Sequence, residues 1–526
     1  MAIGSTSTIS NATAAVDTIT ATGAGALNLG ATTSWTGAAK LASITATGAG
    51  AVTATIDGTV TAFTGGSGDD VLTVSTGISK TLDGGTGSNT LILNAAASSY
   101  NGVLNPNGAI HSLATNFQTL DLASGATGNY NASGFTALKV DALGAAAAFT
   151  NVAAGTGLTV TAAPGYGIGY VYATGTSTTN TFDLTLGTAA TAASVDFGTI
   201  TDSIGTAGTS GVKTISVHSL GTGVAGKVNT VALADNTTGI VTTLNVDGTE
   251  AADVNYAPAT SSAITAINVT NTAAVDVVGV YVAAAGATYT GGAGRLTVSS
   301  ATTGNVTTSV DSIVSGAGGV TATIGIGGAG GAAGSESVNL AASTAVQDSL
   351  TVANASSLAG RRVGVTGYQV TSSATTSDLL VEGTTKTAVS NAAAGTLSPT
   401  QAAGTYTASN GIITFGATES SSVNIQLLDA QAIVNASGDN KIAAFVNGGH
   451  TYVVTSDNSV TDKGSFTNTG SAVQVAADYT TLGYSAGDGV TIILNGVVTG
   501  GALNEYSGET VPLILEESVP PNSGWI

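Results

Sequence analysis

Short runs of alternating residues recur along this chain and limit what it can fold into. "SITATGAGAVTATIDGTVTAF" (43–63), "GLTVTAAP" (157–164), "FDLTLG" (182–187), "VKTISVHSL" (212–220), "VTTLNVDG" (241–248) and "ITAINVTN" (264–271) are the clearest. Each puts aliphatic or β-branched residues on one face and Thr, Ser or Asn on the other, the signature of a half-buried strand. Gly, Asn or Asp interrupts them roughly every eight to twelve residues. No stretch reads as an amphipathic helix of ordinary length. Strands this short cannot bury a face alone. The expectation is an all-β fold, either a solenoid whose coils cover one another or a row of sandwich-like modules.

Composition narrows the function. Glycine is abundant (73 of 526 residues) and 43% of the chain is apolar, so a core is possible and disorder from low hydrophobicity is excluded. Only 8% of residues are charged, about a third of the ordinary share. Eleven basic against thirty-one acidic residues give a net charge of −20. With no basic stripe to displace counterions, nucleic acid is not an expected partner. The few carboxylates gather partly in turns, which points to specific cation sites. There is no cysteine, so disulfides and thiolate chemistry are excluded. No run of eighteen apolar residues occurs, so membrane insertion is not expected. The opening "MAIGSTSTISNATAAVDTIT" has no basic and apolar leader regions, so the chain is expected to be either cytoplasmic or exported by a route that needs no N-terminal signal.

Residues 65–92 carry the sharpest motif. Gly65-Gly66-Ser67-Gly68-Asp69-Asp70-Val71-Leu72-Thr73 fits the nonapeptide G-G-x-G-x-D-x-U-x. Glycines permit positive-φ turns that aim carbonyl oxygens into one small space, and the Asp adds a carboxylate. A hard cation seeking six to eight oxygens suits two such turns stacked together. A second turn follows at Asp83-Gly84-Gly85-Thr86-Gly87-Ser88-Asn89, with Asn89 in place of the sixth-position Asp. The candidate Ca2+ ligands are therefore Gly66, Gly68, Asp69, Asp70, Asp83, Gly85, Gly87 and Asn89. The alternative reading is a pair of glycine turns without an ion. "TGGAGRLTV" (290–298) keeps the glycines but has Arg295 and Leu296 where the carboxylates should stand, and is read as structural. Asp247, Glu250 and Asp253 form a second candidate oxygen cage, with solvated loop carboxylates as the competing reading.

Catalytic signals are weak. His111, His218 and His450 show no metal spacing and read as ordinary strand or loop histidines. There is no nucleophile elbow, and Gly325–Gly330 matches a dinucleotide loop only in its glycines, with no helix pattern after it. The chain is not expected to be an enzyme.

These residues carry a family resemblance. The nonapeptide resembles that of RTX proteins, which are exported by type I secretion and fold on calcium outside the cell. "FQTLDLASGATGNYNASGFTALKVDALGAAAAFTNVAAGTGLTVTAAP" (117–164), "NTFDLTLG" (180–187), "VKTISV" (212–217) and 242–294 look like the calcium-dependent S-layer proteins of Caulobacter-type bacteria. "FVNGGHTYVVTSDNS" (445–459) is similar to the C-terminal region of type I secreted proteins. The resemblance implies a β-solenoid/β-roll body with RTX-like calcium turns, lattice formation on a bacterial cell surface, and export through the C-terminal block. That family's helical N-terminal anchoring domain has no counterpart here, and good nonapeptides are fewer, so a free sheath or filament joins the lattice as an expectation.

The domains expected are an N-terminal β region with the β-roll (1–94), a solenoid body (95–300), a Gly/Ala/Ser-rich β region (301–404) and a separate C-terminal β domain (405–526). The leading functional expectation is an extracellular, self-assembling structural protein. Its partners would be further copies of itself, with cell-surface polysaccharide as a second candidate. A secreted RTX adhesin is the alternative, and an RTX-borne hydrolase the remoter one. The tail "GETVPLILEESVPPNSGWI", with Ile514 and Trp525, is expected either to dock on its own domain or to add a strand to a neighbour.

Overall fold

The computed structural model describes residues 7–8, 16–31, 41–101, 110–173, 180–204, 212–235 and 240–258, most of 262–299, 311–324, most of 335–455, and 491–495. The tail at 508–526, the Gly325–Gly330 run and the side chain of His111 lie outside the described residues. The chain divides into two compact units between Ser262 and Ala263, inside the stretch read as one solenoid body.

In the first unit the chain shuttles between two sheets. Leu27–Ala31, Val52–Ile56, Val71–Val74, Thr90–Leu93, Thr119–Leu122, Ala137–Val140, Gly157–Val160, Asn180–Leu186, Val212–Ser219 and Thr243–Gly248 lie side by side, every neighbour parallel. Between them the chain visits the opposite face. Thr18–Ala21, Ser43–Ala46, Ala62–Thr64, Leu82–Asp83 and Ala114–Thr115 pair there. Gly128–Asn131, Ala147–Val152, Ile168–Tyr172, Val195–Ile204, Val228–Asp235 and Ala251–Pro258 form a further parallel set. Parallel strands need a crossover, usually a helix. Here the crossover is a strand of the other sheet, which makes the body a β-solenoid.

Alternation becomes packing through register. Leu72, Leu91, Leu120, Leu138, Leu158 and Leu184 are successive Cα partners, continued by Val217 and Val246. All are buried. Leu91, Leu120, Leu138 and Leu158 thus each lie between two leucines, and each buried leucine contributes about 1.5–3 kcal/mol. On the other face Tyr170 packs against Tyr172 and Phe182, with ring centroids 5.0 and 4.8 Å away.

The second unit repeats the plan. Ala266–Val269, Thr288–Thr290, Ser312–Val314, Ser335–Asn339 and Arg362–Thr366 form one parallel series. Val275–Asp276, Leu296–Ser299, Val320–Ile324, Ser349–Val352 and Leu379–Glu382 form the other. A C-terminal block follows with antiparallel pairs: Ala392–Thr396 with Thr405–Ser409, then Ile412–Phe415, and the hairpin Lys441–Asn447/His450–Thr455. Its core includes Val389, Ile413, Leu427, Ile433, Phe445 and Val454.

One expectation is corrected here. Val423–Ala436 is a fourteen-residue helix, where the sequence reading found none. Leu427, Ala430, Ile433 and Val434 are buried at helical spacing, but Asp429 is buried with them. No clean polar stripe was left for periodicity to detect.

Leu120→Ala should destabilise the protein by about 2–5 kcal/mol, because its neighbours in register are held by the backbone ladder and cannot collapse into the gap. Urea unfolding monitored by circular dichroism checks this, and a loss below about 1 kcal/mol would contradict the stacked core.

Candidate metal-binding turn stack

The glycines of the motif are required by close approach. A Cβ on Gly48 would sit 1.9 Å from the Gly23 carbonyl oxygen, one on Gly66 2.1 Å from that of Gly48, and one on Gly85 2.2 Å from that of Gly66. The turns at 23, 48, 66 and 85 therefore stack backbone on backbone. The two nonapeptide-like turns are adjacent layers of this stack, and the turns before them belong to it as well. Main-chain bonds tie the layers, Ser67 N–H donating to Gly48 O at 3.0 Å and Thr86 N–H to Gly66 O at 2.9 Å.

The residue just before each strand supplies a second ladder. Val52 N–H donates to Asp70 Oδ1 (2.6 Å), Asp70 N–H to Asn89 Oδ1 (2.8 Å), and Asn89 N–H to Gln118 Oε1 (2.7 Å). Asp70 and Asn89 are fully buried, so these bonds satisfy amides that would otherwise be costly to leave unpaired. The second unit uses the same device: Ala287 N–H donates to Asp311 Oδ1 (2.7 Å) and Val320 N–H to Asp348 Oδ1 (2.6 Å). Sequence reasoning missed the ladder. Its signal was present as an Asp, Asn or Gln directly before Val, Thr or Ser and then Leu or Ile.

The other candidate ligands have partners. Asp69 is exposed, and its Oδ1 accepts from Ser88 N–H at 2.8 Å. Asp83 Oδ1 accepts from Gly85 N–H (2.9 Å) and Asn116 Nδ2 (2.7 Å). Asn89 Nδ2 donates to Asn116 O at 2.9 Å. Gly68 and Gly87 are stacked, a Cβ on Gly87 falling 2.6 Å from Gly68 O.

Asp70 Oδ2 differs from all of these. It is buried and makes no hydrogen bond of ordinary geometry. It faces the space beside Gly65, where a Cβ would lie 2.1 Å from Asp70 Oδ2 and 2.4 Å from Gly84 O. A carboxylate oxygen and a carbonyl oxygen thus face the same side of one glycine. Burial pushes the Asp70 carboxyl up to about 6; the Val52 and Gly66 amides pull it back, and Asp69 raises it further. An orphan buried acceptor beside a carbonyl fits a cation. Among the described residues, no three Asp, Glu or His side chains form a metal-holding group. An ion here would therefore lean on main-chain oxygens.

The second candidate set is not brought together. Asp247 lies on Thr243–Gly248 and Asp253 on Ala251–Pro258, strands of different sheets. Glu250 is buried, its Oε2 accepting from Gly223 N–H at 3.0 Å, and Asp253 accepts from Asn255 at 3.2 Å. Asp247 instead meets His218, with Oδ1 2.6 Å from Nδ1, while Asp183 Oδ1 lies 3.4 Å from Nε2. Burial lowers the His218 pKa, but the two carboxylates more than offset it and the net shift is upward. A similar bridge joins Lys139 to Asp121 and Asp141, at 2.9 and 2.8 Å. Burial still pushes Asp121 up to about 6 against the pull of Lys139. His450 packs edge-on to Tyr452.

A scan against known protein families finds no match for this chain, and a search of curated proteins finds none either.

Two pH effects follow from these environments. Asp70 and Asp121 hold protons to higher pH when folded than the ordinary carboxyl at about 3.9 does. Their contribution therefore favours folding below about pH 4 and is lost as pH rises through about 6. Metal-free protein should be more stable to urea at pH 5 than at pH 7.5. Asp70→Asn keeps an acceptor for Val52 and should shrink that difference; an undiminished difference would show that Asp70 does not carry it. His218 works the other way in pH, since its raised value stabilises the fold fully below about pH 6.5 and is lost as pH climbs past it. His218→Gln should cost stability at pH 6 and little at pH 9, and equal losses at both would rule out the charged bridge.

Proposed function

We propose that this chain is a secreted structural protein of a bacterial cell surface, stabilised by calcium and assembling with copies of itself into a lattice, sheath or filament. The observation that carries the calcium reading is the buried, unpartnered Oδ2 of Asp70 in a stack of glycine turns. Asp70 and the Gly84 carbonyl would hold the ion, with Asp69 adding negative charge from the rim. A bound Ca2+ supplies the positive charge that this buried carboxylate lacks. Asp70, ionised, then keeps its Oδ1 on the Val52 amide and fixes two coils in register.

Assembly is supported by the kind of surface the fold presents. Eleven Lys and Arg in 526 residues leave few charges to guard strand edges against pairing. Among the described residues, Thr18–Ala21 pairs on one side only, with Ser43–Ala46. Such an edge can accept a strand from another copy, and a head-to-tail contact of that kind propagates into an open array. The resemblance at 117–164 and 242–294 to S-layer sequences, and that at 445–459 to type I export regions, gives the cellular setting.

Purified protein should melt higher in millimolar calcium than in excess chelator. A site filled a hundredfold above its Kd adds about 2.7 kcal/mol. The gain should vanish in Asp70→Asn, and negative-stain images should show ordered polymers with calcium only. Identical melting curves with and without chelator would defeat the calcium reading, and monodisperse particles under both conditions the assembly reading.

A further inference from the structure

The second unit contains a turn stack built like the one around Asp70, and a side chain sits at its centre. Gly291-Gly292-Ala293-Gly294-Arg295-Leu296 keeps the glycines of Gly65-Gly66-Ser67-Gly68-Asp69-Asp70, with Arg295 and Leu296 in the places of the two carboxylates. The next two layers are the turns at 315–320 and 343–348. The layers approach as closely as before, since a Cβ on Gly316 would fall 2.1 Å from Gly292 O and one on Gly318 2.3 Å from Ala293 O. Asp348 is buried like Asp70, and its Oδ1 caps the Val320 amide as Asp70 caps that of Val52.

The difference lies in what surrounds the carboxylate. Asp348 Oδ2 accepts from the Ser343 hydroxyl. The Arg295 guanidinium reaches across both following layers: Nη1 donates to Val320 O and Thr321 Oγ1, each at 3.2 Å, and Nη2 to Gln347 O at 2.6 Å. Gly319, at φ +77°, lies against this cluster, for a Cβ there would fall 2.8 Å from Val346 Cγ2, 3.0 Å from Asp348 Oδ1 and 3.5 Å from Nη2. Two carbonyls from successive layers, a hydroxyl and a nearby buried carboxylate form the oxygen set that a hard cation would gather. Here a guanidinium, charged at any working pH, already binds it.

We propose that Arg295 is the resident cation of this second stack, so that 291–352 holds its register without metal while 65–93 depends on an ion. The contrast rests on the calcium reading for the Asp70 stack; the role of Arg295 does not. The chain thus carries two versions of one device, one open to control by the ion concentration outside the cell and one closed to it.

Hydrogen exchange on the full-length protein, read by peptide with calcium or with excess chelator, tests this. In the wild type, calcium should slow exchange in 65–93 and leave 312–324 and 346–352 unchanged. Arg295→Met and Arg295→Gln should speed exchange in 312–324 and 346–352 about tenfold or more under both conditions, the loss expected for charged hydrogen bonds. Arg295→Lys should retain most of the protection, because the position needs positive charge. Unchanged exchange in the Met and Gln variants, a Lys variant as loose as the Met one, or calcium protection of 312–352 in the wild type would each overturn the proposal. Absence of calcium protection at 65–93, with the Arg295 effects intact, would instead remove the calcium reading and leave Arg295 in its role.

Discussion

Everything in this fold depends on in-register hydrogen bonding between successive coils. A parallel ladder fixes which residue lies above which, so a property placed at one position is repeated or answered one coil later. Leu72 above Leu91 above Leu120 makes a core from residues that alone would be exposed. The same rule brings Gly48, Gly66 and Gly85 into backbone contact and allows no side chain there. Register also concentrates the electrostatic problem. A carboxylate on the inner side of a turn has protein above and below it, and must find a donor, a proton or a cation.

The chain meets that problem in several ways. Asn89 is neutral and fully engaged. Asp121 borrows Lys139 from the next coil. Asp348 takes a hydroxyl and lies beside a guanidinium that bridges two layers. Asp70 and Asp121 each keep one buried oxygen without a hydrogen bond, but Asp121 has the Lys139 ammonium on its other oxygen, whereas Asp70 has no cationic side chain bonded to it; the proposed ion rests on that difference. Inner positions of this architecture offer few ways to hold a charge, and each must be provided for.

Much of this was legible in the sequence. Period-two alternation gives the strands at 43–46, 157–160, 212–219 and 243–248, and the nonapeptide shows where two glycine turns stack. What could not be read is register across unequal coils. Asp70 and Asn89 lie nineteen residues apart, but Asn89 and Gln118 twenty-nine. His218 meets Asp247 across twenty-nine residues and Asp183 across thirty-five. No fixed period predicts those meetings. The grouping of Asp247, Glu250 and Asp253 failed for the same reason: closeness along the chain puts residues on different sheets. Helix Val423–Ala436 was hidden because its buried face includes Asp429 among the apolar residues.

The pre-strand ladder also gives the solenoid a direction. In every case above, the capping oxygen belongs to the later coil and the amide to the earlier one: Asp70 for Val52, Asn89 for Asp70, Gln118 for Asn89, Asp311 for Ala287, Asp348 for Val320. The two ends of a broken solenoid are therefore unequal. Losing a coil on the N-terminal side frees a carboxylate or amide oxygen that water can solvate. Losing one on the C-terminal side strips the cap from a backbone amide already set inside a turn. A coil added at either end forms one such bond, so the asymmetry lies in what each bare end exposes, an acceptor at one and a backbone amide at the other.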